Sequence, residues 1–246
     1  MPRNPVNAIV WGVVLVAVLG AAWPATAQVT AQVTAVKDTK SPYPNMAPIE
    51  QYRMDRDAEI ALARTAAPPS VSRDADILVL GQTNYETAIH GKNGFVCMVG
   101  RAWTGPLNNP EYWNPKNRSP ACLNPAAARS VLPIFLKEAG MALSGFSKAQ
   151  IDEGIKSAVD RKELGAPAPG SMIYMMSKDA YLTDRGGHNL AHLMFELPTI
   201  DAAAWGADQA DSPVFSQSFA PIPMIEFNVP TRQWSDGTDA TGPHAH

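Results

Sequence analysis

The chain has 246 residues, with 20 Lys and Arg against 23 Asp and Glu and a formal net charge of −3. Its basic residues stand singly between acids, which argues against nucleic acid as a partner, because binding a polyanion takes clustered cations that displace counterions. The length fits one domain able to bury its own core without a disulfide scaffold.

In chain order, Arg3 precedes an apolar run over residues 8–22, then Trp23-Pro24 and the small-residue triplet Ala25-Thr26-Ala27. That order predicts a signal peptide over 1–27, since the apolar run is shorter than the roughly 20 residues a membrane-spanning helix needs. The chain is thus expected to be exported, to the periplasm or the medium, with no membrane span after cleavage. Residues 28–47 are rich in Thr, Ala and Pro and read as a flexible linker, and 235–246 as a disordered tail.

Between them, 48–234 is expected to form a single domain. Ile49, Tyr52, Met54, Ile60 and Leu62 lie among charges and helix formers, so an amphipathic helix is predicted over 48–67, stopped by Pro68-Pro69. Strands are predicted over 76–80, 85–90 and 95–103, the last two joined as a hairpin or short meander by the turn residues 91–94. Residues 104–125, dense in Pro and Asn, read as a long loop. Helices follow over 126–141, despite Pro133, and over 147–164, where Ser147 is the N-cap and Ile151, Ile155 and Val159 form one apolar stripe. Further strands are expected over 172–177, 193–197 and 222–229. Helices flanking short strands without regular βαβ alternation predict an α+β domain with a mostly antiparallel sheet.

The two cysteines, Cys97 and Cys122, are an even pair in a chain predicted to be exported, and are expected to form one disulfide. Cys97 lies in the strand-like run Phe95-Val96-Cys97-Met98-Val99, a poor setting for the alternative of a reactive thiol.

Three stretches resemble a group of uncharacterised exported bacterial proteins: Gly91-Lys92-Asn93-Gly94-Phe95-Val96-Cys97-Met98-Val99, the strand over 172–177, and His192-Leu193-Met194-Phe195-Glu196-Leu197-Pro198. The group is recognised by a signal peptide, a G-x-N-G-F-x-C strand and a later H-x-M-F strand. The resemblance implies no activity and no catalytic residue; it implies that Cys97 lies on a central strand.

The sharpest local feature is the H-x-x-x-H of His188 and His192. On a helix this spacing lets two imidazoles share zinc or copper, with Glu196 one turn further on, whereas on a strand they stand about 13 Å apart. The flanking Gly186-Gly187 and Pro198 and the alternation of Leu193, Phe195 and Leu197 favour loop then strand. His90 is the candidate third ligand. A metal-dependent hydrolytic enzyme or metal-handling protein built on these residues is the alternative to the primary expectation, a ligand- or partner-binding domain. Met172, Met175, Met176, Met194 and Met224 suit copper by thioether softness, although methionine also fills irregular cores. Trp103, Tyr112 and Trp113, around the Pro/Asn loop, are the candidate ligand surface. No G-x-S-x-G, phosphate-cradling glycine loop or C-x-x-C occurs.

Overall fold

The computed structural model describes residues 41–185 and 190–240. The predicted signal peptide, most of the linker, His188 and the last six residues of the tail lie outside the described residues. Within the stretch predicted as one helix, a 3-10 turn at Ile49–Tyr52 and helix α1 (Arg56–Arg64) are separate elements. Asp55 makes the break, because its carboxylate accepts the backbone N–H groups of Asp57 and Ala58 at 3.1 and 3.0 Å and so starts a new helix. A short helix, α2 (Pro69–Ser72), follows the proline pair.

The strands are β1 (Asp76–Leu80), β2 (Tyr85–Ile89), β3 (Val96–Gly100), β4 (Ser119–Leu123), β5 (Met172–Met175), β6 (His192–Pro198), β7 (Phe215–Ser218) and β8 (Met224–Pro230). They form one eight-stranded sheet in the order β2-β1-β3-β4-β5-β6-β8-β7. Every pairing is antiparallel except β1 with β3, so the domain is α+β with a mostly antiparallel sheet, as expected.

The expected β2–β3 hairpin is not formed. Strand β2 folds back on β1 instead, through a turn in which Gly81 N–H donates to the Asn84 carbonyl at 2.8 Å, and the chain then crosses the end of β1 to lay β3 on its far side. That crossing needs close backbone approach. Lys92 N–H donates to the Asp74 carbonyl, Gly91 N–H donates to the Asp76 carboxylate, and a Cβ on Gly91 would lie 2.3 Å from the Asp74 carbonyl oxygen. A side chain at position 91 would therefore push the crossover off the sheet.

Helix α3 (Pro125–Ser130) is capped by Asn124, and α4 (Leu132–Leu143) begins with Pro133 in its first turn, where a missing N–H costs nothing. Helix α5 (Lys148–Asp160) starts at Ser147 in a full capping box with Gln150. Its stripe of Ile151 and Ile155 is fully buried.

Alternation along the strands sends side chains to two large cores and to a third, small cluster of Ala207, Ile225 and Phe227. On one face Ile77, Cys97, Val99 and Cys122 pack with Ala63 and Ala66 at the end of α1. On the other, Leu78, Met98, Leu123 and Ile173 pack with Ile134, Ala139, Ile151 and Ile155 of α4 and α5, and Tyr43, Met46 and Ala47 lie against the same core. Cys97 and Cys122 face each other across β3 and β4 and are disulfide-bonded. No helix among the described residues is long and apolar enough to cross a membrane.

Candidate functional site

On the α4 side of the sheet, β6 turns His192, Met194 and Glu196 inward, because side chains two residues apart share a face. Their cross-strand partners complete three ranks. His192 stands between Met175 and Pro230, Met194 between Ile173 and Asn228, and Glu196 beside Glu226, which in turn faces Gln217 on the edge strand β7. Over these ranks lies a partly open cavity of about 220 Å³, lined on its other sides by Phe135 of α4, Phe219, Leu182 and residues of the loop from Arg101 to Asn117.

The loop is an ordered wall, because its asparagines bond their own backbone. Asn109 Oδ1 accepts from Glu111 N–H at 2.8 Å and Asn114 Oδ1 from Lys116 N–H at 2.9 Å. Buried Glu111 then binds the chain ahead of β6, accepting from Thr183 Oγ1 at 2.7 Å and Asp184 N–H at 3.0 Å, while Asn117 Nδ2 donates to the Leu182 carbonyl at 2.9 Å. The cavity is thus walled by two loop segments tied to each other.

Its titratable groups are buried, and their protonation follows from that. His192 is 8% exposed, and its Nδ1 lies 2.6 Å from the Leu190 carbonyl, which can only accept. Nδ1 therefore carries the proton, and Nε2 is an acceptor as long as the ring is neutral. Burial favours that neutral ring by lowering the imidazole below its ordinary value, against a smaller opposing effect of the Leu190 bond. Arg101 is sealed in the wall with its charge answered by Glu59 at 2.9 Å.

Glu196 and Glu226 are the unusual pair. Glu196 is 1% exposed and neither of its oxygens receives a hydrogen bond from a protein N–H or O–H donor among the described residues. Opposite it on β8 stands the Glu226 carboxyl, whose Oε1 accepts from Asn228 Nδ2 at 2.8 Å. Burial raises both carboxyls, Glu196 further because the Glu226 charge adds to it, while Asn228 and Glu196 pull Glu226 partly back. Such a pair bonds internally only when one proton sits between its oxygens.

The residues expected from sequence fall in different places. His192 lines the cavity. His90 is exposed just beyond β2, five strand steps or about 24 Å of sheet away, so these two histidines are not brought together. His188 lies outside the described residues, and among those described no group of three His, Cys, Asp or Glu could hold a metal. Trp103, Tyr112 and Trp113 are 0%, 1% and 4% exposed, so they are core and not the expected ligand surface. They cluster with Tyr52, the Tyr52 and Trp103 rings 4.6 Å apart and the Tyr112 and Trp113 rings 4.7 Å apart, because apolar rings gain most by leaving water together. Met175 and Met194 line the cavity, whereas fully buried Met224 belongs to the core.

Sequence reasoning passed over Glu226, Asn228 and Gln217. One signal was present: an acid at an inward position of an otherwise apolar strand, in LMFEL and again in MIEFNV. In comparisons with protein-family models, curated proteins and solved structures, nothing matches the chain.

Proposed function

We propose that the protein is an exported binding domain that holds a small amphipathic molecule in the cavity over β6 and β8. The observation that carries this is the convergence of buried polar groups, Glu226, Asn228 and His192, on one cavity whose other walls set the apolar Met175, Met194, Phe135 and Phe219 beside the polar Asn109, Asn117, Ser119 and Gln217. Apolar walls with a few placed polar groups are the general composition of small-molecule sites. At about 220 Å³ the space lies below the usual range of roughly 300–1,000 Å³, so the ligand is small. Export is supported by the signal-like order of the N-terminus and by the disulfide, which persists in oxidising compartments.

Methionine methyl NMR tests this directly. Titrated with benzyl alcohol and benzylamine, the Met175 and Met194 methyl signals are expected to shift in a saturable way while Met54 and Met141, which do not line the cavity, stay fixed. Shifts at Met54 and Met141 instead, or none with either probe, would overturn the proposal.

A further inference from the structure

The balance of charge around the cavity says what kind of group its ligand presents. Two carboxyls at the same register of adjacent antiparallel strands, on the same buried face, cannot both be anionic at neutral pH. They share one proton and carry one negative charge. That charge rests on Glu226, because Asn228 Nδ2 donates to it at 2.8 Å, whereas no donor among the described residues is placed to steady a charge on Glu196. Glu226 is also the member of the pair that lines the cavity.

No cation among the described residues answers it. The Arg101 guanidinium in the cavity wall is spent on Glu59, on the Tyr52 carbonyl and on the Val99 carbonyl. His192 uses its Nδ1 proton on Leu190, and no lysine lines the cavity. A buried carboxylate without a counter-charge is costly, and a ligand that brings the missing charge recovers that cost. A divalent metal ion would require several oxygen ligands, and the described residues hold no such cluster. The thioether and aromatic walls favour an organic body instead.

Building on the cavity as a ligand site, we propose that it recognises an organic amine, whose ammonium group pairs with Glu226 while its apolar part lies against Met175, Met194 and Phe219.

The test compares benzylamine, benzyl alcohol and benzoate, three probes of one shape and different charge, on the full chain at pH 8 with the Met175 and Met194 methyl signals as readout. Benzylamine is expected to bind at least tenfold more tightly than the alcohol, and benzoate most weakly. Glu226→Gln should reduce the amine preference to within about twofold while leaving the alcohol shifts in place, which also shows the variant folded. Glu196→Gln, which offers Glu226 an amide donor in place of the shared proton, should keep the preference. If the alcohol binds as tightly as the amine, or the preference survives Glu226→Gln, the amine assignment fails and the cavity remains a ligand site. If no probe moves these methyls, both proposals fail together.

Discussion

Arg101 Nη2 lies 2.9 Å from Glu59 Oε1 with the two side chains 0% and 2% exposed, so one sealed ion pair joins α1 to the residue that follows β3. Both partners have further bonds. Arg101 also donates to two backbone carbonyls, and Glu59 Oε1 also accepts the Leu80 N–H at 3.2 Å. Removing one partner leaves a charge in the interior, so Glu59→Ala is expected to cost about 3–5 kcal/mol in chemical denaturation. Combining Glu59→Met with Arg101→Met should cost clearly less than the two single changes added together, because it removes the stranded charge. An additive double mutant would mean the pair is not coupled.

The Glu196 and Glu226 carboxyls make stability depend on pH. Both are raised in the folded protein, Glu226 to about 7, so the native state keeps protons that the unfolded chain releases near 4.5. Their stabilising effect is whole below the unfolded value and is lost as pH rises through the folded one. His192, lowered by burial, acts in the opposite sense and weakens the fold as pH drops through 6.5. The decisive quantity is therefore the difference between wild type and Glu226→Gln. Across pH 5 to 8 the variant should gain on wild type by on the order of 3 kcal/mol, measured by urea denaturation at each pH. A parallel pair of profiles would contradict the shared proton.

The disulfide closes a loop with a sequence separation of 25. Opening it is expected to cost about 3 kcal/mol, chiefly by freeing the unfolded chain. Calorimetry with and without reductant should show a melting temperature lower by roughly 6–12 °C in the reduced protein. Both sulfurs lie in the fully buried core beside α1, so reduction should require denaturant or heat to proceed at a useful rate.

Asp184 ties the Pro-rich segment ahead of the first helical turn to the cavity loops. Its carboxylate accepts from the hydroxyls of Tyr181 and Tyr43 and from Lys116 Nζ at 3.1 Å, and those bonds lower its pKa to about 2. A lowered carboxylate contributes above its unfolded pKa, and that contribution disappears as pH falls toward 2. At neutral pH, Asp184→Ala should speed amide hydrogen exchange at Tyr43 and Met46 while leaving β1 and β3 protected. Unchanged exchange would show that packing alone holds the segment.

Elements with strong local signals were legible in the sequence and others were not. Strand β1 occupies the predicted 76–80, because an apolar β-branched run ended by Gly81 has few other readings. Helix α5 begins at the predicted N-cap. Strand β4, by contrast, sits inside the stretch read as loop, and Pro120 hides it. The proline is tolerated because β5 pairs with β4 only at Cys122 and Leu123, so at Pro120 the strand is in effect an edge. Strand β7 is short and polar, and pairing with β8 alone makes it a strand. In the site, His192 could be suspected from its motif. The meeting of Glu196 with Glu226 could not, since it rests on a register between strands that local periodicity does not encode. Trp103, Tyr112 and Trp113 misled for the opposite reason: a Pro/Asn loop suggests surface, while the rings themselves belong to the core.

The strand order has a consequence for how the molecule is made. Strands β1 to β6 take their places almost in the order they are synthesised, with β2 merely folded back outside β1, so a chain delivered N-terminus first meets each neighbour soon after it emerges. The far edge breaks that sequence, because β7 can dock only on β8, which comes after it. The cavity draws on β6, β7 and β8 at once. The disulfide-bonded half of the sheet can thus assemble while the last strands are still arriving, and the cavity is completed only when the end of the sheet is in place.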